Sequence, residues 1–315
     1  MIARRLARTA LLVLAATAVV FAATEALPGD AGTLRDAGRA SPEQVARARD
    51  QLGLDEPVVL RYLRWLGGLL RGDLGRSLSS GRPVSDLLGQ RLPTTISLVA
   101  AALAVTVLLT VAGLVVTHLR EGRGGALAAG FAAVPQAVYA ATLGALLSGM
   151  LGWLPAVSLL PPGGHAWQEP RMLVLPALTL ALPSAAFACT LLRGVLTDTL
   201  RRAHVVDAYR RGLPPVLVLR RHVLPFLAVP AIQVLALTAG WLAAGTALVE
   251  TVYGLSGLGG LLVSAVAVRD APVVQGAALV PVVTVLIGML LADLAAATVH
   301  RSATWKPTRV TGGTP

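Results

Sequence analysis

Cysteine occurs once in this 315-residue chain, at Cys189, and lysine once, at Lys306. A single thiol excludes an intrachain disulfide and a cysteine-based metal cluster, and its place in an apolar run marks it as a small core residue. Charge is scarce altogether: 14% of residues are Asp, Glu, Lys or Arg, against about 25% in ordinary soluble domains. No soluble domain with a basic face is visible, which excludes the usual nucleic-acid binders even though the formal net charge is +11. There is no G-x-x-x-x-G-K-S/T phosphate loop, so nucleotide hydrolysis is not expected on this chain. A catalytic constellation is missing too, because the histidines are scattered and the acids fall most densely in residues 28–94.

What the chain has instead is apolar length. Hydrophobic residues make up 55% of it and its mean hydropathy is +0.71, the composition of an integral membrane protein. Arg4, Arg5 and Arg8 precede the apolar run Ala10–Ala23, read as an uncleaved first transmembrane helix rather than a signal peptide. Further apolar runs at Thr95–Thr117, Gly125–Gly149, Met172–Leu192, Val223–Val249 and Pro272–Val299, the last holding Asp293 and the others uncharged, are each long enough for the ~30 Å hydrocarbon layer. Pro176 and Pro183 predict kinks in the fourth run, while Pro135, Pro155, Pro161 and Pro162 break the longer uncharged stretch from which the third helix is read. The fold class is therefore all-α, with six transmembrane helices.

The arginines orient the bundle. His118–Arg123, residues 193–222 and the two ends of the chain carry most of them, while the short loops at 150–171 and 250–271 hold one each. The positive-inside rule then places the N and C termini in the cytoplasm. The resulting division is 1–27 for the tail and first helix, 28–94 for a large external loop, 95–299 for a five-helix core and 300–315 for a cytoplasmic tail. Within the external loop, Ser41–Leu52 has a capped helical look, and Leu60, Leu63, Leu66 and Leu69 suggest an amphipathic helix that caps the outer end of the bundle. Asp293, near the inner end of the last run, is expected to snorkel or to pair with His300 or Arg301.

Thr199–Pro230 (TLRRAHVVDAYRRGLPPVLVLRRHVLPFLAVP) is the anomaly between two apolar runs. Ala203–Arg211 lacks helix breakers, Gly212-Leu213-Pro214-Pro215 imposes a turn, and Val216–Leu224 resumes a helical pattern. Helix, turn and helix make a knob that suits a cleft in a partner protein, whereas charge alone would equally suit anionic lipid.

This loop resembles the cytoplasmic coupling motif of ABC-importer permeases, in which Glu-Ala-Ala, three residues, Gly, nine residues and then a hydrophobic residue, any residue, Leu and Pro follow in order. Ala208, Gly212 and Leu224-Pro225 occupy matching positions, while Val206, Asp207 and His222 depart from the motif. Leu52–Thr95, Leu151–Gly164, Leu175–Phe187, Leu248–Leu262 and Arg269–Gly276 resemble blocks of the dipeptide/oligopeptide/nickel-type permeases, the first of the two membrane subunits. Within that family a histidine is usual at His222, and the coupling segment reads like ARAKG, here Ala208-Tyr209-Arg210-Arg211-Gly212.

The resemblance implies a type I ABC-importer permease fold in a bacterial-type cell membrane. It implies a second homologous permease, two cytoplasmic ATPases that bind ATP and magnesium, and an external substrate-binding protein, with no cofactor or metal on this chain. Small peptides are the expected cargo, with nickel or another small solute as the alternative. Asp207, Ala208, Arg210, Arg211, Gly212, Leu213, Arg220, His222, Leu224 and Pro225, within a coupling loop at 196–225, are expected to dock the ATPase. Glu250, Tyr253, Gly257 and Gly259 are expected to help close the outer gate on the binding-protein side. An ion-coupled carrier would want ionisable groups at mid-membrane, and only Glu250 and Asp293 come close. A membrane scaffold or sensor that docks a protein through 199–225 is the reading from another class.

Overall fold

In the computed structural model the described residues are 2–26, 56–119, 125–158 and 168–303. The expected Ser41–Leu52 helix lies outside them, as does most of the tail, and the side chain of Asp293 falls outside them as well. The elements in chain order are α1 (Ile2–Glu25), α2 (Val58–Leu70), α3 (Val84–Leu119), α4 (Gly125–Ala133), α5 (Gln136–Leu143), α6 (Pro170–Leu200), α7 (Ala203–Arg210), α8 (Pro215–Val218), α9 (Leu224–Tyr253), α10 (Leu258–Ala267) and α11 (Ala271–Ala303). Among the described residues the one β pairing is an isolated antiparallel bridge between Arg76 and Pro83.

Five helical stretches are long and apolar enough to cross a membrane, and a bent pair, Gly125–Ala133 with Gln136–Met150, brings the total to six. The bend is 92°, and it follows from Pro135. Its ring keeps Val134 out of the helical region, and Pro135 itself is extended at φ −59° and ψ 141° as it caps α5. Pro176 and Pro183 lie within an unbroken α6, as Pro93 does within α3.

Helix α3 begins at Val84, eleven residues before the uncharged run at Thr95. Asp86, Gln90 and Arg91 stop a hydropathy run but not a helix, so the helix continues past the hydrocarbon layer. The bundle centre is built where α3, α6 and α9 meet, around Leu98, Leu175, Leu180, Leu242 and Val249. Cys189 is buried beside Leu114 and Leu192, the small core residue expected of a lone thiol. A second cluster joins the start of α3 to α10 and α11 through Val84, Leu88, Leu258 and Val273. Helix α1 packs along α11, with Gln275 donating to Thr24 at 2.8 Å.

Candidate functional site: coupling knob, outer-mouth segment and mid-span cavity

The anomalous loop folds into a compact knob between the fourth and fifth spans. Helix α7 ends in paired hydrogen bonds, Gly212 N–H to Tyr209 O at 3.0 Å and Leu213 N–H to Ala208 O at 3.3 Å. Gly212 has φ +75°, so this is a Schellman ending with glycine at the left-handed position and Leu213 packed back on the helix. Pro214 is extended and Pro215 opens α8, where its missing N–H costs nothing.

Leu219–Val223 is π-helical and leads directly into α9. Pro225 explains it: proline offers no N–H to the carbonyl four residues back, and its ring crowds that carbonyl, so the turn widens. Val205, Ala208, Val218 and Val223 form a small core of their own, with Leu196, Leu200 and Leu213 around it. His204 ties the start of α7 to the π turn, its Nε2 lying 3.3 Å from His222 O, and its ring sits 4.8 Å from that of Phe226. Arg202 covers the same Phe226 ring at 5.0 Å, a cation–π contact.

The expected coupling residues divide into two groups. Asp207, Arg210, Arg211, Arg220, Leu224 and Pro225 are exposed, with Asp207 and Arg211 paired at 2.5 Å across one turn. Ala208 is buried, Leu213 and His222 are half-buried, and these belong to the knob's frame. Val205, Val218, His204 and Phe226 were not singled out from the sequence, nor were Tyr209 and Val216, which stand 44% and 76% exposed on the knob's surface. A three-and-four apolar spacing in so short a helix was the available signal for Val205.

At the other end of α9 the segment expected to help close the outer gate contains a helix, α10, held by a buried carboxylate. Glu250 is fully buried. It accepts from Thr95 Oγ1 at 2.6 Å and from the backbone N–H groups of Gly259 and Gly260 at 2.6 and 3.0 Å. Thr95 Oγ1 in turn accepts from Leu258 N–H at 2.8 Å. Together they satisfy the first N–H groups of α10, where the helix dipole also favours a negative charge. Gly259 is required because a Cβ there would lie 2.2 Å from Ala247 Cα.

Tyr253 is also buried. Its hydroxyl donates to Ala140 O at 3.1 Å and pairs with Thr179 at 2.9 Å. Glu250 and Tyr253, expected at the outer gate, thus anchor this segment from inside the chain with their side chains buried. Ser256 is the exposed residue of the turn.

The turn between α10 and α11 carries one further acid. Asp270 accepts from Ser77 Oγ at 2.5 Å, Leu78 N–H at 3.1 Å, Ser79 N–H at 3.1 Å and Ser79 Oγ at 2.7 Å. Burial alone would raise its pKa, but the hydrogen bonds from Ser77, Ser79 and Leu78 outweigh it and hold the carboxyl below the usual aspartate value. This clasp fastens the 73–83 turn, on the external side by the charge reading, to the mouth of the bundle.

Between these ends, the break at Pro135 opens a cavity of about 310 Å³ lined by Gln136, Pro183, Ser184, Phe187, Thr238 and Trp241 among others. No ionisable side chain lines it among the described residues. Its polar groups are the Gln136 amide and the Ser184 and Thr238 hydroxyls, set among apolar and aromatic side chains. Among the described residues no cluster of His, Cys, Asp and Glu could hold a metal ion.

Comparison with known proteins agrees with this arrangement. Residues 110–304 match the family described as binding-protein-dependent transport system inner membrane component, and residues 1–99 match the N-terminal region of such membrane components. A protein of Brucella abortus that carries the name peptide transport system permease protein is 34% identical over 281 residues, 88% of this chain and 90% of its own length. A protein of Sinorhizobium fredii that carries the name peptide ABC transporter permease protein is 32% identical over 303 residues, 93% of this chain and 96% of its own. The glutathione transport system permease protein GsiC of Salmonella paratyphi A is 31% identical over 293 residues, 91% of this chain and 93% of its own. With both family matches in order along a multi-pass helical bundle, this chain belongs to the inner-membrane permease components of binding-protein-dependent ABC transport systems.

Proposed function

We propose that this permease passes small peptides inward by alternating access, paired with a second homologous permease. Two cytoplasmic ATPases, which bind the ATP and magnesium, dock the knob of α7 and α8, and an external binding protein delivers cargo. The observation that carries the reading is the knob itself. It has its own small core, a rigid glycine-ended turn and an exposed rim of Asp207, Arg210, Arg211 and Arg220, a shape that transmits force instead of dissipating it. Peptide cargo is supported by relatives named for peptide and glutathione transport and by the uncharged cavity at Pro135, where a peptide backbone finds amide and hydroxyl partners.

The test is the complex reconstituted in vesicles with a loaded binding protein, assayed for ATP hydrolysis and uptake across peptides and nickel. Peptides are expected to stimulate both activities and nickel neither. Gly212→Val places a β-branched residue at φ +75°, a conformation that costs such residues about 1–2 kcal/mol, and nothing else crowds the site. It is expected to insert normally and to lose the link between uptake and hydrolysis. Normal peptide-stimulated turnover in this variant would overturn the coupling role of the knob, and stimulation by nickel alone would overturn the cargo.

A further inference from the structure

Helix α2 is 13 residues long and none of them is buried. At 1.5 Å per residue it extends about 20 Å, too short to cross the ~30 Å hydrocarbon layer. It runs instead along the last turns of α1. Tyr62 packs edge-on and Trp65 tilted against Phe21, with ring centroids 5.5 and 5.6 Å away, and Arg61 pairs with Glu25 at the end of α1. The Tyr62 hydroxyl reaches Thr17 at 3.1 Å. Thr17 stands eight residues before Glu25, which is about 12 Å down the helix axis. Helix α2 thus lies beside a membrane span at the depth where hydrocarbon gives way to head groups, not beyond the end of that span.

Its outer side is two-faced. Val59, Leu63, Leu66 and Leu70 follow at intervals of four, three and four, one stripe of a helix. Val59, Leu63 and Leu70 are 68%, 54% and 81% exposed. The neighbouring span leaves Leu11 and Val19 each 67% exposed, so the stripe stands beside a lipid-facing surface. Arg64 and Arg71 project from the other side, with the Arg64 side chain 64% exposed and paired to Glu56. An apolar stripe, a basic edge and interfacial aromatics form the pattern of a helix lying in a membrane surface.

We propose that α2 is an interfacial helix: Val59, Leu63, Leu66 and Leu70 seat in the acyl boundary of the leaflet at the C-terminal end of α1, and Arg64 and Arg71 meet lipid phosphates. It fixes the height of the chain that follows, and so delivers the Ser77–Ser80 turn to Asp270 at the mouth of the bundle.

The test exploits the single cysteine. In a Cys189→Ala background, nitroxide labels are placed one at a time on cysteines introduced from 58 to 71. The full chain is studied in its assembled complex, in vesicles of phosphatidylethanolamine and phosphatidylglycerol. Labels at 59, 63, 66 and 70 are expected to collide readily with oxygen and poorly with a water-soluble nickel chelate. Labels at 64, 67 and 71 are expected to show the reverse, so that the ratio oscillates several-fold with helical period. The oscillation across the scan, rather than any one site, is the readout, so local disturbance by a single label does not decide it. High chelate access on both faces would mean a helix standing in water, and low access to both reagents along the stripe would mean a protein partner covers it; either result overturns the proposal.

Discussion

Glu250 shows how much one buried residue can organise. Its carboxylate gathers one hydroxyl and two adjacent backbone N–H groups from two separate places in the chain. Glu250→Ala leaves these donors buried without acceptors, each at about 1–3 kcal/mol. The variant is expected to lose at least about 3 kcal/mol of stability, seen as a fall in thermal unfolding temperature in detergent, with α10 the first element to exchange its amides. An unchanged unfolding temperature would show that water takes over the acceptor role. The sequence marked Glu250 and the glycines after it for an outer gate, but gave no sign that the acid is a buried acceptor. Hydropathy sees only that a charge ends an apolar run; it cannot see that the donors at Thr95, Gly259 and Gly260 converge on that charge. The burial of Tyr253 was hidden for the same reason, its partners Thr179 and Ala140 lying on other helices.

Among elements, the spans were legible because twenty or so uncharged residues admit few alternatives in a bilayer. Gly212 announced its turn through backbone restriction alone, whereas the third span, read as one helix over Gly125–Gly149, bends by 92° at Pro135. The hidden element was α10, whose helix depends on an acid and a threonine distant in sequence. The clasp at Asp270 was equally hidden, because its partners Ser77 and Ser79 precede it by almost two hundred residues. Its pH behaviour follows from the sign of the shift. With its folded pKa below the unfolded value, Asp270 contributes stability that is fully present above about pH 4. That contribution is lost as pH falls through the depressed folded value. Asp270→Asn is expected to release the 73–83 turn at neutral pH, measured as faster proteolysis there, and to flatten the acid limb of the stability curve. Equal protection of the turn in variant and parent would rule out the clasp.

For the whole molecule, the count and order of the spans came from sequence pattern, whereas the cavity at the broken third span came from the packing of side chains on three spans. What no local pattern contained was continuity. Helical backbone runs from Pro215 to Tyr253, 39 residues without interruption, or about 58 Å. Labels at the exposed positions Val216 and Thr251 are expected to keep a separation of about 52 Å by pulsed dipolar spectroscopy in every nucleotide state. A change of many ångströms would mean that the π turn or Pro230 acts as a hinge.

A stiff rod has a mechanical consequence. One end carries the knob of α7 and α8 and the other carries Glu250, with the cavity residues Thr238 and Trp241 between them. Tilting such a rod about its middle by about 10° moves each tip by about 5 Å in opposite senses, while the midpoint barely travels. The two mouths then answer to a single see-saw, so that narrowing one widens the other without any signal being handed from residue to residue.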